Sequence, residues 1–363
     1  MENIGLLEKL SNAFGPGGFE EEVILAMKEE ILEFSPEVDA MNNVYLKLPG
    51  NTGHRPVVML DAHLDEVGFM VQSINDKGLL SLATLGGWVP SNVPAHAMVI
   101  KNAQGEKIKG VVVSKPPHFM SPEEKAKGGV DLLSLQIDVG ATSREEVVDL
   151  FRIQPGDPVV PDVTFYEEKR NGVLRGKAFD NRIGCYALIQ VMKQLKSMDL
   201  PVDVIGALAA QEEIGTRGAQ VTTQVVSPDV AIVFEGSPAD DAYLPPYEAQ
   251  GVLKKGVQIR HLDQSYISHR GFIDVALQIA KEAHLPYQRA VRRGGGTNAG
   301  KIHLQGKAVP VLVLGIPSRY VHTHYSYAAK EDVEATISLA VKTIASLNKE
   351  VMATLLKKDL FIK

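Results

Sequence analysis

Hydrophobic positions along this chain fall into two textures. Over the first 67 residues, and again after residue 165, short apolar runs alternate with segments of helical spacing. "EEEVILAMKEEILEF" (residues 20–34) predicts an amphipathic helix, stopped by "SPE". "NVYLKL" predicts a strand and "PGNTGH" a turn; the nearly continuous run in "RPVVMLDAH" suits a strand buried on both faces. From about 68 to 165 the texture changes. "VGFMVQSI", "GLLSLATLGG", "HAMVIKN" and "KIKGVVVS" are short runs broken by Gly, Pro and Asn, with no long helical pattern before Glu145. Ser143 and Glu146, in "GATSREEVVDL", have capping-box spacing and predict a short helix there.

Further on, "DNRIGCYALIQVMKQLKSM" (residues 180–198) repeats apolar residues every four positions, at Ile183, Ala187, Val191 and Leu195, and predicts a long helix. "VDVIGALAA", "PDVAIVFEG" and "VPVLVLGIP" predict strands, "HRGFIDVALQIAKEAHL" a helix, and "KEDVEATISLAVKTIASLNKEVMATLL" one long closing helix. This alternation predicts an α/β fold, a mostly parallel-containing mixed sheet with helices on both faces, interrupted by a smaller all-β, barrel-like domain. Residues 1–67 and 166–363 are the two segments of the α/β domain, and 68–165 the insertion.

Composition narrows the function classes. The chain has 363 residues and a formal charge of -6, with basic residues dispersed; the densest cluster, "AVRRGG", is too short for a nucleic-acid surface. One cysteine, Cys185, excludes an intrachain disulfide, and its helical setting reads as a buried thiol. The N-terminus lacks the pattern of a signal peptide, and no apolar run approaches the ~18 residues of a membrane span. These features predict a cytoplasmic protein with neither membrane nor nucleic-acid partners.

The chemistry sits where the predicted strands end. "VVML" leads to Asp61, His63 and Asp65; "IGALAA" to Glu212 and Glu213; "VAIVF" to Glu235; "VLVLGIP" to His322 and His324. Asp180 opens a predicted helix, where an N-cap is the plain alternative to a ligand role. In open α/β sheets the carboxyl ends of strands form the functional crevice. Oxygen and imidazole donors gathered there suit zinc, cobalt or manganese. A histidine ligand commonly passes its second ring proton to a carboxylate, a role open to Asp65. Of the adjacent glutamates, one can ligate while the other takes a proton from an activated water. Spacing alone does not choose between His322 and His324. No "HExxH", phosphate loop or "GxSxG" elbow is present.

Eight segments in order, "DAHLDEVGFMV", "LLSLQIDVGATSREEV", "IQPGD", "GKAFDNRIG", "EEIGTRGA", "FEGSPADD", "GGGTNAG" and "GIPSRYVHTHYS", resemble the glutamyl aminopeptidase family. That family includes tetrahedral, self-compartmentalising aminopeptidases and some members labelled endoglucanase. The resemblance implies two divalent metal ions per subunit, zinc or cobalt first and manganese also acceptable. It implies that His63, Asp180 and Glu235 hold one ion and that Asp180, Glu213 and His322 hold the other. Glu212 would be the general base and proton shuttle, and Asp65 would orient His63. It also implies a metal-dependent aminopeptidase that releases N-terminal amino acids from short unblocked peptides, with water activated at the two-metal centre. The assembly implied is a homo-oligomer; in the self-compartmentalising relatives it is a dodecamer built from dimers. Asn298 stands where relatives commonly carry Asp in "GGTDA", which predicts one negative charge fewer near the substrate. The alternatives are a related two-metal deacylase or carboxypeptidase, a glycoside hydrolase working with two carboxylates and no metal, and a non-catalytic scaffold on the same fold.

Overall fold

The computed structural model describes residues 3–122 and 131–357. The first strands are β1 (Glu37–Val38), β2 (Val44–Lys47) and β3 (Val57–His63). Next come β4 (Gly68–Ile74), β5 (Leu80–Leu85), β6 (Ala97–Lys101), β7 (Lys107–Val112), β8 (Gln136–Asp138) and β9 (Pro158–Pro161). The remainder are β10 (Tyr166–Glu168), β11 (Val173–Gly176), β12 (Asp203–Ala209), β13 (Val230–Pro238), β14 (Val257–Leu262), β15 (Tyr287–Val291), β16 (Val311–Arg319) and β17 (Ser326–Ala329).

The apolar runs at β3, β12, β13 and β16 become the parallel centre of a mixed sheet, in the order β12-β3-β13-β16. Antiparallel strands flank it, β2 beside β12 and β14 beside β16. Alternation along β3 divides the core. Val58, Leu60 and Ala62 pack in the large cluster that contains the helices Ile4–Asn12, Phe179–Leu195 and Lys330–Ala345. Met59 packs on the other side with Ala219 of the helix Arg217–Val226 and with Ala299 and Ile302. Helices therefore cover both faces, and the Phe179–Leu195 helix is buried nearly all round.

Between Gly68 and Pro161 the period-two runs close on themselves. Six antiparallel strands form a barrel in the order β4-β5-β8-β7-β6-β9, with β9 returning to β4. Its core includes Phe69, Leu82, Ile100 and Ile137, with Trp88 stacked on Phe69. A closed barrel leaves no free edge strand to pair with other chains.

Three local expectations change. The closing helix is two helices, Lys330–Ala345 and Lys349–Leu355, because the Asn348 side chain accepts from the N–H groups of Glu350 and Val351 and starts a new one. Ser143 does accept from the Glu146 N–H, but the Glu146 carboxylate turns to the N–H of Thr142 instead of closing the box on Ser143. The turn that follows, Glu146–Leu150, is wide and π-type. Finally, Asp180 does not cap its helix: its backbone is non-helical (φ -82, ψ 99), and its carboxylate points elsewhere.

Candidate functional site

The parallel centre brings its carboxyl ends to one edge, and five segments deliver side chains there. His63 ends β3, Glu235 lies late in β13, and Glu212 and Glu213 occupy the turn after β12. His322 follows β16, and Asp180 arrives at the start of the buried helix. Asp180 stands in the middle. Its Oδ1 is 3.1 Å from His63 Nε2 and its Oδ2 is 3.4 Å from His322 Nε2. Around His63 Nε2 also lie Glu235 Oε1 at 3.7 Å and Glu212 Oε2 at 3.9 Å. Glu213 Oε2 is 3.6 Å from His322 Nε2. The adjacent glutamates thus diverge, one toward each histidine.

Each histidine is oriented from behind. His63 Nδ1 donates to the Asp65 carbonyl oxygen at 3.1 Å, and His322 Nδ1 donates to the carbonyl of Gly87, in the barrel, at 2.8 Å. Both Nε2 atoms are left facing the carboxylates, as metal ligation requires. The Asp65 carboxylate lies 3.4 Å from His63 Nδ1 and is engaged by the backbone N–H groups of Glu212 at 2.8 Å and Glu213 at 3.0 Å. Asp65 therefore touches the histidine chiefly through its backbone, while its side chain fixes the turn that carries both glutamates.

His324 goes a different way. Its ring is buried, stacked 3.9 Å from His96 and tilted against Trp88, so it belongs to the contact between barrel and sheet. Among the described residues, donor atoms within 4.8 Å of one another group as His63–Asp180–Glu235, as Asp180–Glu213–His322, and as His63–Glu212–Glu213. The first two share Asp180.

The electrostatics fit a cation. Burial pushes Glu213 up to about 8 and Glu235 up to about 7, and the Asp180 charge adds to both shifts. Burial likewise raises Glu212 well above the ordinary carboxylate range, assisted by Glu213 and Glu235. Asp180 goes down: burial opposes its ionisation, but hydrogen bonds from His322 and His63 outweigh it. Glu213 Oε1 is buried with no hydrogen-bond partner. A buried, orphaned carboxylate oxygen among other carboxylates is costly unless a cation compensates it.

Several contributors carry no local sequence signal. Asn181 donates to the Phe234 carbonyl and accepts from the Gly236 N–H, which holds β13 beside Asp180. Glu66, Lys177 and Arg182 form a buried ionic group under the site. Cys185 is a buried thiol, as expected, and it donates to the His63 carbonyl. Asn298 is buried, and its Nδ2 donates to both oxygens of the Asp61 carboxyl group, which burial raises to about 7.

Beside the donors opens a cleft of about 530 Å³, walled by Gly294–Thr297, Thr216, Lys301 and Val321. A larger cavity, of about 890 Å³, lies at the opposite ends of β13 and β16 and contains none of these donor groups. Among the described residues, no helix is long and apolar enough to cross a membrane.

Comparison with known proteins agrees with this geometry. Residues 42–339 match the model of the M42 glutamyl aminopeptidase family. The glutamyl aminopeptidase of Lactococcus lactis subsp. cremoris is 30% identical over 358 residues, covering 97% of this chain and 99% of that protein. The TET aminopeptidase of the Thaumarchaeota archaeon SCGC AB-539-E09 superposes with a TM-score of 0.92 at 36% identity, covering 97% of this chain and 98% of that one. The Pyrococcus horikoshii TET1 peptidase, which can assemble into a tetrahedron or a large octahedral shell, superposes with a TM-score of 0.84 at 28% identity, covering 95% and 99%. A family match across most of the chain, and a relative of this identity along its whole length, settle the assignment: the chain belongs to the M42 glutamyl aminopeptidase family and is an aminopeptidase, a hydrolase.

Proposed function

We propose that this aminopeptidase works with two divalent cations and removes N-terminal residues from short, unblocked peptides. The observation that carries the proposal is the placing of Asp180, whose two oxygens face two different histidines. His63, Asp180 and Glu235 would hold one ion, and Asp180, Glu213 and His322 the other; zinc, cobalt or manganese suits this donor set. When bound, such ions supply Lewis acidity and lower the pKa of water.

The chain's own residues do the rest. Glu212 is the residue of the cluster assigned to neither ligand triad, and its Oε2 stays within 3.9 Å of His63 Nε2. Its carboxylate takes a proton from the attacking water and returns it to the leaving amine nitrogen. Asp65 keeps that carboxylate in place by gripping the backbone beneath it. A substrate whose free α-amine binds beside an ion and the carboxylates would be cut at its N-terminus, which is exopeptidase action.

The test pairs metal analysis with substrate blocking. Purified protein should hold close to two equivalents of metal per chain and cleave unblocked aminoacyl substrates, but not their N-acetyl forms, with activity lost on chelation. Cleavage of acetylated substrates would favour a deacylase, and cellulose hydrolysis that survives chelation would favour a glycosidase. Glu212→Gln should lower kcat by about 10²–10⁴-fold at unchanged metal content; loss of metal in that variant would contradict its role. We also assign the chain a homo-oligomeric state, with a dodecamer as its specific form, on the strength of the Pyrococcus horikoshii relative, which can assemble into a tetrahedron, and of PhTET1-12s, whose structure is a dodecamer. Light scattering that reports a monomer at micromolar concentration would reject it.

A further inference from the structure

The wall of the cleft opposite the ligands is made largely of backbone. Gly294, Gly295, Gly296 and Gly300 line it, and Gly295 has a positive φ of 76°. A glycine-rich wall has few side chains to pack, and its backbone has more freedom than any other. Its position must therefore come from a few anchors.

Ser265 is one anchor. Its Oγ accepts from the Thr297 N–H and donates to Asp263. The other lies underneath. Asn298 is 1% exposed, and its Nδ2 reaches the Asp61 carboxylate oxygens at 3.0 and 2.8 Å. The Asn298 carbonyl then accepts from the N–H groups of Lys301 and Ile302, opening the short helix that continues the wall. Asp61 is fully buried and lies two residues before His63 on β3, so both side chains leave the same face of the strand. One carboxylate–amide pair thus ties the strand that carries the ligand cluster to the wall that faces substrate.

We propose that Asp61 and Asn298 are positioning residues for the peptidase reaction, setting the distance between the glycine-rich wall and the ligand cluster and thereby the fit of the substrate's first residue. Neither residue lines the cleft; the pair acts through the loop. It rests on the aminopeptidase assignment above and extends it.

The pair is chemically symmetric, one carboxylate and one amide of equal size, so the roles can be exchanged. Four metal-loaded proteins should be compared: wild type, Asp61→Asn, Asn298→Asp and the double exchange. Readouts are metal content, kcat and KM on an unblocked aminoacyl substrate, and hydrogen exchange of the segment 290–304. Asp61→Asn keeps an acceptor for the Asn298 amide but loses its charge, and Asn298→Asp removes the donor and sets two buried carboxyl groups face to face. Asn298→Asp should raise KM about tenfold, the scale of a lost hydrogen bond to a charged group, and Asp61→Asn by less, each with faster exchange in the loop. kcat should stay within about threefold, since ground-state fit is what is lost. Metal content should not change. The double exchange should return both KM and exchange protection toward wild type.

A double exchange no better than the poorer single variant overturns the proposal, as do single variants that lose metal instead of substrate affinity. If Asn298→Asp does not fold, Asn298→Ala, which removes the donor outright, decides instead: wild-type KM with wild-type loop protection ends the proposal. A wild-type chain that cleaves no unblocked substrate overturns the peptidase assignment and this proposal with it. An active wild type with a failed exchange overturns only this proposal.

Discussion

His322 and His324 are two residues apart and shift in opposite directions. Burial favours the neutral ring in both. At His322 the charges of Glu213 and Asp180 outweigh burial and raise it to about 10, whereas His324, with only His96 for a charged neighbour, falls to about 3. Environment, not residue type, decides what a side chain can do. The same principle allows a stability test far from the site. Asp332 is fully buried in the first turn of the helix Lys330–Ala345 and accepts from the N–H groups of Lys254 and Gly256. Burial raises it from an ordinary 3.8 to about 6, although those two hydrogen bonds pull the other way. The folded chain then holds this proton more tightly than the unfolded one. The resulting stabilisation is complete below about pH 4 and is lost as pH rises through about 6, a change of at most about 2–3 kcal/mol. Asp332→Asn carries no such titration. Its melting temperature relative to wild type should rise between pH 4.5 and pH 7, whatever its absolute value. A flat difference measured by calorimetry would show that the carboxylate is ionised throughout.

At the scale of elements, what was legible in the sequence follows from how local each signal is. The strands β3, β12, β13 and β16 were visible because burial on both faces demands continuous apolar runs, and their polar ends stood out against those runs. The barrel was visible because its apolar runs are short and broken at turns. The pairings across the site were not visible. Gly87 and His322 lie 235 residues apart, and Asp61 and Asn298 lie 237 apart; neither pair leaves a mark in its own neighbourhood. Asn298 was read only for the charge it lacks, since its partner is on a strand read for other residues. Asp180 was ambiguous because an aspartate that opens a helix looks the same whether it caps or turns away. The break at Asn348 was hidden inside a pattern that stays apolar on both sides; Leu347 remains buried through it. The resemblance to a known family carried the choice of His322 over His324; in the structure His322 Nε2 lies near Asp180 and Glu213, while His324 packs against His96 and Trp88.

Across the whole molecule, the barrel and the sheet meet at the carboxylate–histidine cluster, and this has a thermodynamic consequence if the cluster binds cations as proposed. The Gly87 carbonyl, from the loop after β5, orients His322. Beside it, Gly86 packs so closely that a Cβ there would lie 2.8 Å from a Val67 methyl and 3.2 Å from Glu213 Cβ. On the far side of the same loop Trp88, the chain's one tryptophan, lies in the barrel core and against His324. Cations that bind the folded cluster stabilise it by mass action, about 2.7 kcal/mol at a concentration one hundred times the dissociation constant. Because the loop joins barrel to cluster, that stabilisation should reach both. Adding zinc, cobalt or manganese to chelated protein should therefore raise the melting temperature by several degrees. The transition seen by Trp88 fluorescence, which reports the barrel, should move together with the one seen by helical circular dichroism, which reports the α/β domain. Asp180→Ala removes the residue common to both proposed ligand triads and should abolish the shift in both signals. A Trp88 transition that ignores metal while the helical transition responds would mean that the barrel is coupled to the sheet by packing alone, and that the Gly87–His322 hydrogen bond transmits nothing.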